Sequence, residues 1–399
     1  MRCCEWLRRG ATAAVVCAAA SLACFGAGTA GLLEGNPFRG RVLFVEKLCT
    51  QCHSIWGHGG TLGPEIARVV AGKPLPQLSG EFWNHTPRMI DEMTAKGYAW
   101  PTLDRKEMAD LLSYLYYLRL FDEPGSPSRG AATFARLRCE SCHSLGGVGG
   151  NVGGRLDPFS SYASPIPLAQ AMWNAGPAMR SAQIGHGTPI PQFSGGEMAD
   201  IQAYIREHGR RPENERVQLL PLPDPAAGEK VFFEKRCVVC HATRKAGAPD
   251  LGDAALRLTV AEISGILWNH SYTMQERMHA SGIPFPRFQG QELADVVGYL
   301  HLLGYKGREG NASRGSQVFR EKGCAACHED QKIQAPDLTK EHSGDDAIAL
   351  SAAMWNHAPE MHEAMAKNDV PWPQFEQGDV EDLVAYLRSR SAQGVSKGH

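Results

Sequence analysis

The chain has 399 residues, 43% of them hydrophobic and 21% charged, with 41 Lys and Arg against 43 Asp and Glu for a formal net charge of −2. This is ordinary globular composition, and no basic stripe marks a nucleic-acid partner, so nucleic-acid binding is excluded. Taken as one block the length allows two or three domains, but the cysteine spacing divides it more finely.

Residues 1–30 read as a secretory signal peptide. Arg2, Arg8 and Arg9 form a positive start, Ala11 to Gly28 is an Ala-rich apolar run, and Gly28-Thr29-Ala30 offers small residues for cleavage. Left uncleaved, the same run would act as a membrane anchor, and Ser21-Leu22-Ala23-Cys24 is a weak lipoprotein box. No other segment has about 18 uninterrupted apolar residues. The expected location is periplasmic or otherwise exported, with membrane association through an uncleaved leader as the alternative.

Of the 12 Cys, Cys3, Cys4, Cys17 and Cys24 lie in the leader. The others form four pentapeptides: Cys49 and Cys52 before His53, Cys139 and Cys142 before His143, Cys237 and Cys240 before His241, and Cys324 and Cys327 before His328. Cys-x-x-Cys-His is the sequence for attaching a c-type haem. Two thiols add across the vinyl groups of one porphyrin, and the following His coordinates the iron. Exported cysteines would otherwise suggest disulfides, but a His follows each pair at once. Zinc would need two more ligands per site, and no second Cys-x-x-Cys falls inside any unit.

Everything around the pentapeptides repeats. Gly40, Gly130, Gly228 and Gly315 stand at one position before the first Cys, and Phe44, Phe134, Phe232 and Phe319 at another. Gly then Phe four residues on suits a short helix with one buried face. After the His comes a loop, three residues longer in units 1 and 2, then Gly63-Pro64, Gly153-Gly154, Ala248-Pro249 or Ala335-Pro336. Trp83-Asn84, Trp173-Asn174, Trp268-Asn269 and Trp355-Asn356 follow in register. The spacing predicts a helix ending near Trp-Asn and restarting after Pro87, Pro177 or Pro359. Met89, Met179, Met274 and Met361 come next, then Pro101, Pro191, Pro286 and Pro373. An amphipathic closing helix carries Glu107, Glu197, Glu292 or Asp379 at its start, then Asp110, Asp200, Asp295 or Asp382, then Tyr114, Tyr204, Tyr299 or Tyr386. No segment alternates with a period of two, so the fold class is all-α. The units are bounded at 36–123, 127–211, 225–306 and 312–391, and each is small enough to need a bound group to complete its core. Pro-rich linkers join them.

These units resemble class I c-type cytochrome domains, as in the c-type subunits of haem-copper oxidases. The resemblance rests on Gly…Phe…Cys-x-x-Cys-His, on the Gly63-Pro64-Glu65-Ile66 and Ala335-Pro336-Asp337-Leu338 steps, and on the closing helix from Glu292 to Leu300. It implies four small helical folds in tandem, each around a covalent haem c. It also implies that the carbonyls of Pro64, Pro249 and Pro336 accept a hydrogen bond from the ligating His, with Gly154 replacing Pro in unit 2.

One departure matters. The family places its second iron ligand in a Met-Pro-x-Phe sequence. Here Trp100, Ile190, Phe285 and Trp372 precede the Pro, and none can ligate iron. Met89, Met179, Met274 and Met361 are the candidates present in every unit. The alternatives are His85, His270 and His357 with His186 for unit 2, the later Met93, Met278 and Met365, open iron sites, or Met as core filler. The repeated Trp reads as core, or as packing against porphyrin.

The sequence thus points to an exported tetrahaem cytochrome passing single electrons, with no catalytic residue assigned. Partners would be other redox proteins: a quinol-oxidising complex or dehydrogenase upstream, a terminal oxidase or reductase downstream. The rivals are a haem enzyme or gas sensor with an open site in unit 2, and a subunit of a membrane or extracellular electron-transfer complex.

Overall fold

The computed structural model describes residues 35–118, 120, 124–211, 216–241, 248–249, 251, 257–329, 335–338 and 345–396. The leader with its cysteines, Asp122 and Glu123 of the first linker, and His342 lie outside the described residues. Among the described residues, no helix is long and apolar enough to cross a membrane.

The all-α reading holds. Each unit has a first helix (Pro37–Glu46, Pro127–Arg136, Pro225–Glu234, Ala312–Glu321), the pentapeptide turn, a long helix (Leu75–Ala95, Ile166–Gly185, Val260–Ala280, Ala347–Lys367) and a closing helix (Arg105–Leu118, Glu197–His208, Glu292–Tyr305, Asp379–Ser396). The longer loops of units 1 and 2 fold into two small hairpins, Ser54–Ile55 on His58–Gly59 and Ser144–Leu145 on Val148–Gly149. Positive φ at Trp56 and Gly57, and at Gly146 and Gly147, closes these two-residue turns.

The repeated Gly, Phe, Asp and Tyr explain how first and closing helices cross. A Cβ on Gly40, Gly130, Gly228 or Gly315 would overlap the backbone carbonyl of Asp110, Asp200, Asp295 or Asp382. Glycine is therefore required by the close approach of the two backbones. One turn on, Phe44, Phe134, Phe232 and Phe319 pack against Tyr114, Tyr204, Tyr299 and Tyr386 with ring centres 6.0, 5.3, 5.5 and 5.5 Å apart. The Asp side chain ties down the start of the first helix. It accepts the backbone N–H of Asn36, Ser126, Asp224 or Asn311 at 2.6, 2.7, 2.8 and 2.7 Å. Those same four residues cap the first helix with their side chains.

The long helices differ from expectation. Pro87, Pro177 and Pro359 lie inside them, and the helix does not break. An internal Pro frees the carbonyl four residues back. For Pro87 that is the carbonyl of Trp83, which accepts the indole N–H of Trp372 at 3.0 Å. For Pro359 it is that of Trp355, which accepts the indole N–H of Trp100 at 2.9 Å. The donors belong to a different unit in each case. Unit 3 has Tyr272 where the others have Pro, and the side chain of its facing residue, Ile190, carries no N–H.

The Trp-Asn pairs are thus a clasp between units. Trp83 and Trp355 donate to the carbonyls of Pro373 and Pro101 at 2.8 and 2.6 Å, joining units 1 and 4 reciprocally. Trp173 and Trp268 donate to the carbonyls of Pro286 and Pro191, both at 2.8 Å, joining units 2 and 3. Each Asn amide makes two hydrogen bonds to one backbone residue of the partner unit, Asn84 to Phe375 at 2.9 and 2.7 Å and Asn356 to Leu103 at 2.8 and 2.8 Å. Asn174 and Asn269 do the same with Phe288 and Phe193. Rings stack across the seams: Trp83 on Trp372 at 4.1 Å, Trp100 on Trp355 at 4.3 Å, Trp173 on Phe285 at 4.6 Å.

A third junction joins units 1 and 3 through their closing helices. The Tyr116 hydroxyl donates to the Gly298 carbonyl at 2.6 Å, and that of Tyr305 to the Leu112 carbonyl at 3.2 Å. The units therefore lie in the spatial order 4–1–3–2.

Candidate functional site

Every pentapeptide is built alike. The residue before the first Cys has positive φ: Leu48 at 65°, Arg138 at 57°, Arg236 at 61° and Gly323 at 80°. Three of these carry side chains, so the turn holds a conformation that costs energy and that the surrounding structure enforces. The His backbone N–H then bonds the carbonyl of the first Cys at 2.9, 2.9, 3.1 and 2.9 Å, which brings the His and both Cys onto one turn.

The imidazoles are held by the chain beyond. Nδ1 lies 3.0 Å from the Pro64 carbonyl for His53, 2.7 Å from that of Gly154 for His143, 3.2 Å from that of Pro249 for His241 and 2.9 Å from that of Pro336 for His328. A carbonyl can only accept, so Nδ1 carries the proton and Nε2 keeps its lone pair. Gly154 serves as well as Pro because the acceptor is backbone. Gly63 and Gly153 pass against the rings of His53 and His143, where a Cβ would overlap ring atoms. In unit 1 Glu65 secures the loop by accepting from the N–H groups of Gly57 and Trp56 and from the Ser54 hydroxyl. Burial works to raise its pKa, but these hydrogen bonds outweigh it and hold the carboxyl below its usual range.

The eight cysteines of the pentapeptides are free, half-buried thiols. Burial pushes the first of each pair up, Cys49, Cys237 and Cys324 to about 11 and Cys139 to about 12. These four first thiols are therefore protonated at neutral pH and are poor metal thiolates. No cluster of three or more His, Cys, Asp and Glu able to hold a metal ion occurs among the described residues.

An apolar cavity opens beside each of the first two turns. In unit 2 it measures about 460 Å³ and reaches from Cys139, Cys142 and His143 to Met179. In unit 1 two adjoining spaces of about 100 and 390 Å³ share His53, His85 and Met89. The first of them is also walled by Trp355, a residue of unit 4.

A cytochrome c family profile matches residues 38–119, 225–303 and 312–391, more than half of the chain. The chain belongs to the cytochrome c family. No curated protein and no solved structure matches it. As a cytochrome c it is a haem c protein of electron transfer. The site fits that group: two thiols and an imidazole with a free Nε2 share one turn, which in units 1 and 2 stands at the mouth of an apolar cavity. The family match does not include unit 2, yet that unit has the same three helices and the same His-to-carbonyl bond.

The far walls of the slots come from the long helices. Met89 and Met179 line their cavities, and Met274 and Met361 are half-buried against the core at the same register. His85 also faces His53, with ring centres 6.5 Å apart, and burial, then the neighbouring His53 and Arg88, push its pKa down. His270 and His357 are exposed, and the His270 Nδ1 is 3.0 Å from the Ile266 carbonyl of its own helix. His186 is the exposed C-cap residue of its helix and does not line the unit 2 cavity. Met93 shares the unit 1 cavity, and Gln183 takes its place in unit 2.

Sequence reasoning missed the clasp. Its signal was present: Trp-Asn and the residues around the following Pro keep one register in all four units. Trp100 and Trp372, at the position where the family carries its Met ligand, are committed to the neighbouring unit.

Proposed function

We propose that the chain is an exported tetrahaem c-type cytochrome carrying single electrons between redox proteins. The observation that supports this most strongly is the fourfold recurrence of one turn, with two half-buried thiols and a His held through Nδ1. In this reading Cys49, Cys52, Cys139, Cys142, Cys237, Cys240, Cys324 and Cys327 attach the haems, and His53, His143, His241 and His328 ligate the irons through Nε2. Pro64, Gly154, Pro249 and Pro336 orient the imidazoles and raise their basicity. Haem c supplies the one-electron couple, and the chain supplies burial, ligation and spacing.

Met89, Met179, Met274 and Met361 are proposed as sixth ligands, since that register alone offers a donor in every unit. In unit 1 His85 competes: two metal–nitrogen bonds of about 2 Å each leave imidazole centres roughly 6 Å apart, close to the observed spacing. Partners would be a quinol-oxidising complex or dehydrogenase and a terminal oxidase or reductase, docking through small transient contacts. The leader would direct export, whether cleaved or kept as an anchor.

The test is a haem count by pyridine haemochrome, with near-infrared spectra of the ferric protein. Four haems per chain with thioether-to-iron bands, each lost in one of Met89→Ala, Met179→Ala, Met274→Ala and Met361→Ala, support the reading. Fewer than four in a fully matured sample sinks it.

A further inference from the structure

We propose that electrons cross the molecule in the order 4–1–3–2 and not in chain order, through two tightly coupled pairs joined back to back, with units 4 and 2 as the two ports for partner proteins. The inference rests on the tetrahaem reading and adds the wiring to it.

Three observations carry it. Trp355 of unit 4 is itself a wall of the unit 1 cavity, beside Phe82 at 6.0 Å between ring centres. In the other pair, Pro191 and Phe193 line the unit 2 cavity with their side chains and bond Trp268 and Asn269 of unit 3 through their backbones. The junction of units 1 and 3 is different. Leu111 and Leu115 line the unit 1 cavity from its closing helix, while the Tyr116 side chain and the Leu112 carbonyl of that helix bond the closing helix of unit 3. Two packed helices, whose axes in such contacts lie about 8–10 Å apart, therefore stand between the sites of units 1 and 3. Within a pair, residues of the seam itself, Trp355, Pro191 and Phe193, belong to a cavity wall.

With haem c held by the four turns, each transfer would move one electron, oxidising the ferrous group of one unit and reducing the ferric group of the next, with no bond made or broken. The first electron comes from a one-electron donor protein at one end unit, and the last leaves to a one-electron acceptor protein at the other.

The experiment perturbs one site at a time and reads its neighbours. His53→Met, His143→Met, His241→Met and His328→Met keep both thioether attachments but change one iron's potential. EPR-monitored titration then follows the midpoint of every site. The order 4–1–3–2 predicts that His328→Met shifts its own midpoint and that of unit 1, and that His143→Met shifts its own and that of unit 3. A shift of unit 1 on changing unit 2, with none on changing unit 4, would mean wiring in chain order and overturn the proposal. A second measurement needs no variant. Pulse-radiolytic reduction of the native protein by one electron should equilibrate in two phases, fast within pairs and slower between them, and a single phase overturns the pairing. A wild-type haem count below four would instead defeat the tetrahaem reading, so the two failures are distinct.

Discussion

The clasp makes a sharp prediction about Trp100 and Pro359. Pro359 removes the N–H that would bond the Trp355 carbonyl, and the indole of Trp100 takes that carbonyl at 2.9 Å. Trp100→Phe keeps a ring to stack on Trp355 but leaves a part-buried carbonyl without its donor, at a cost of about 1–3 kcal/mol. Pro359→Ala restores an N–H within the helix, so the carbonyl no longer depends on unit 1. Trp100→Phe should then cost about 1 kcal/mol less in the Pro359→Ala background than in the native one. Guanidinium unfolding of the haem-loaded protein, followed by far-UV circular dichroism, gives the double-mutant cycle. Costs equal in both backgrounds to within about 0.3–0.5 kcal/mol, the usual limit of additivity, would refute the exchange of donors. Unit 3 has Tyr272 in place of Pro and faces Ile190, whose side chain has no N–H, whereas unit 2 keeps Pro177 and faces Phe285, so the exchange of donors belongs to the clasp of units 1 and 4.

Gly130→Ala should cost about 1–3 kcal/mol by overpacking, since its Cβ meets the Asp200 carbonyl; thermal melts of the holoprotein read it. Gly153→Ala should displace the His143 ring and lower haem incorporation at unit 2 alone, read by haem count and by the ferric EPR signal of that unit. The Asp anchors should respond to pH unequally. Burial acts to raise Asp200, but the Arg129 guanidinium and the Ser126 N–H outweigh it and hold the carboxyl below its ordinary 3.8. A depressed folded pKa contributes stability at neutral pH that is lost as pH falls through it, so unit 2 should weaken below about pH 4 and Asp200→Asn should flatten that limb. Asp295 is raised by burial, then by Asp224 and Glu292, against the Asp224 N–H and Gln291, so Asp295→Asn should cost less at pH 7 than Asp200→Asn. Denaturation midpoints across pH check both.

The pentapeptides, the all-α class and the Gly–Phe–Asp–Tyr register were legible because each is a local pattern. Their partners lie within one unit, and the repeat shows each position four times. The role of Gly154 was harder to read, because a carbonyl's identity does not depend on the side chain that sequence displays. The uninterrupted long helices were misread for a physical reason. Pro87 and Pro359 normally end a helix because of the carbonyl they orphan, and the groups that satisfy it come from a unit some 290 or 250 residues away in sequence, Trp372 and Trp100. No local rule anticipates a donor at that separation.

The position that lost its methionine also shows why ligation and assembly cannot be separate in this chain. Trp100 and Trp372 stand where a class I cytochrome would present its Met, and they are spent on the partner unit's helix. In the proposed reading the sixth ligand comes from the long helix, and that helix already carries the clasp. At about 100° per residue, Trp83 and Met89 project roughly 120° apart, while His85 and Met89 share a face. One face thus fixes the partner unit and another lines the cavity beside His53, on a single element. Because Asn84 and Trp83 set the helix's rotation against unit 4, they also set where Met89 stands opposite His53. Pairing the units and aligning the ligand are one structural act, and that coupling explains why a chain of four small domains keeps the clasp residues at one register in every copy.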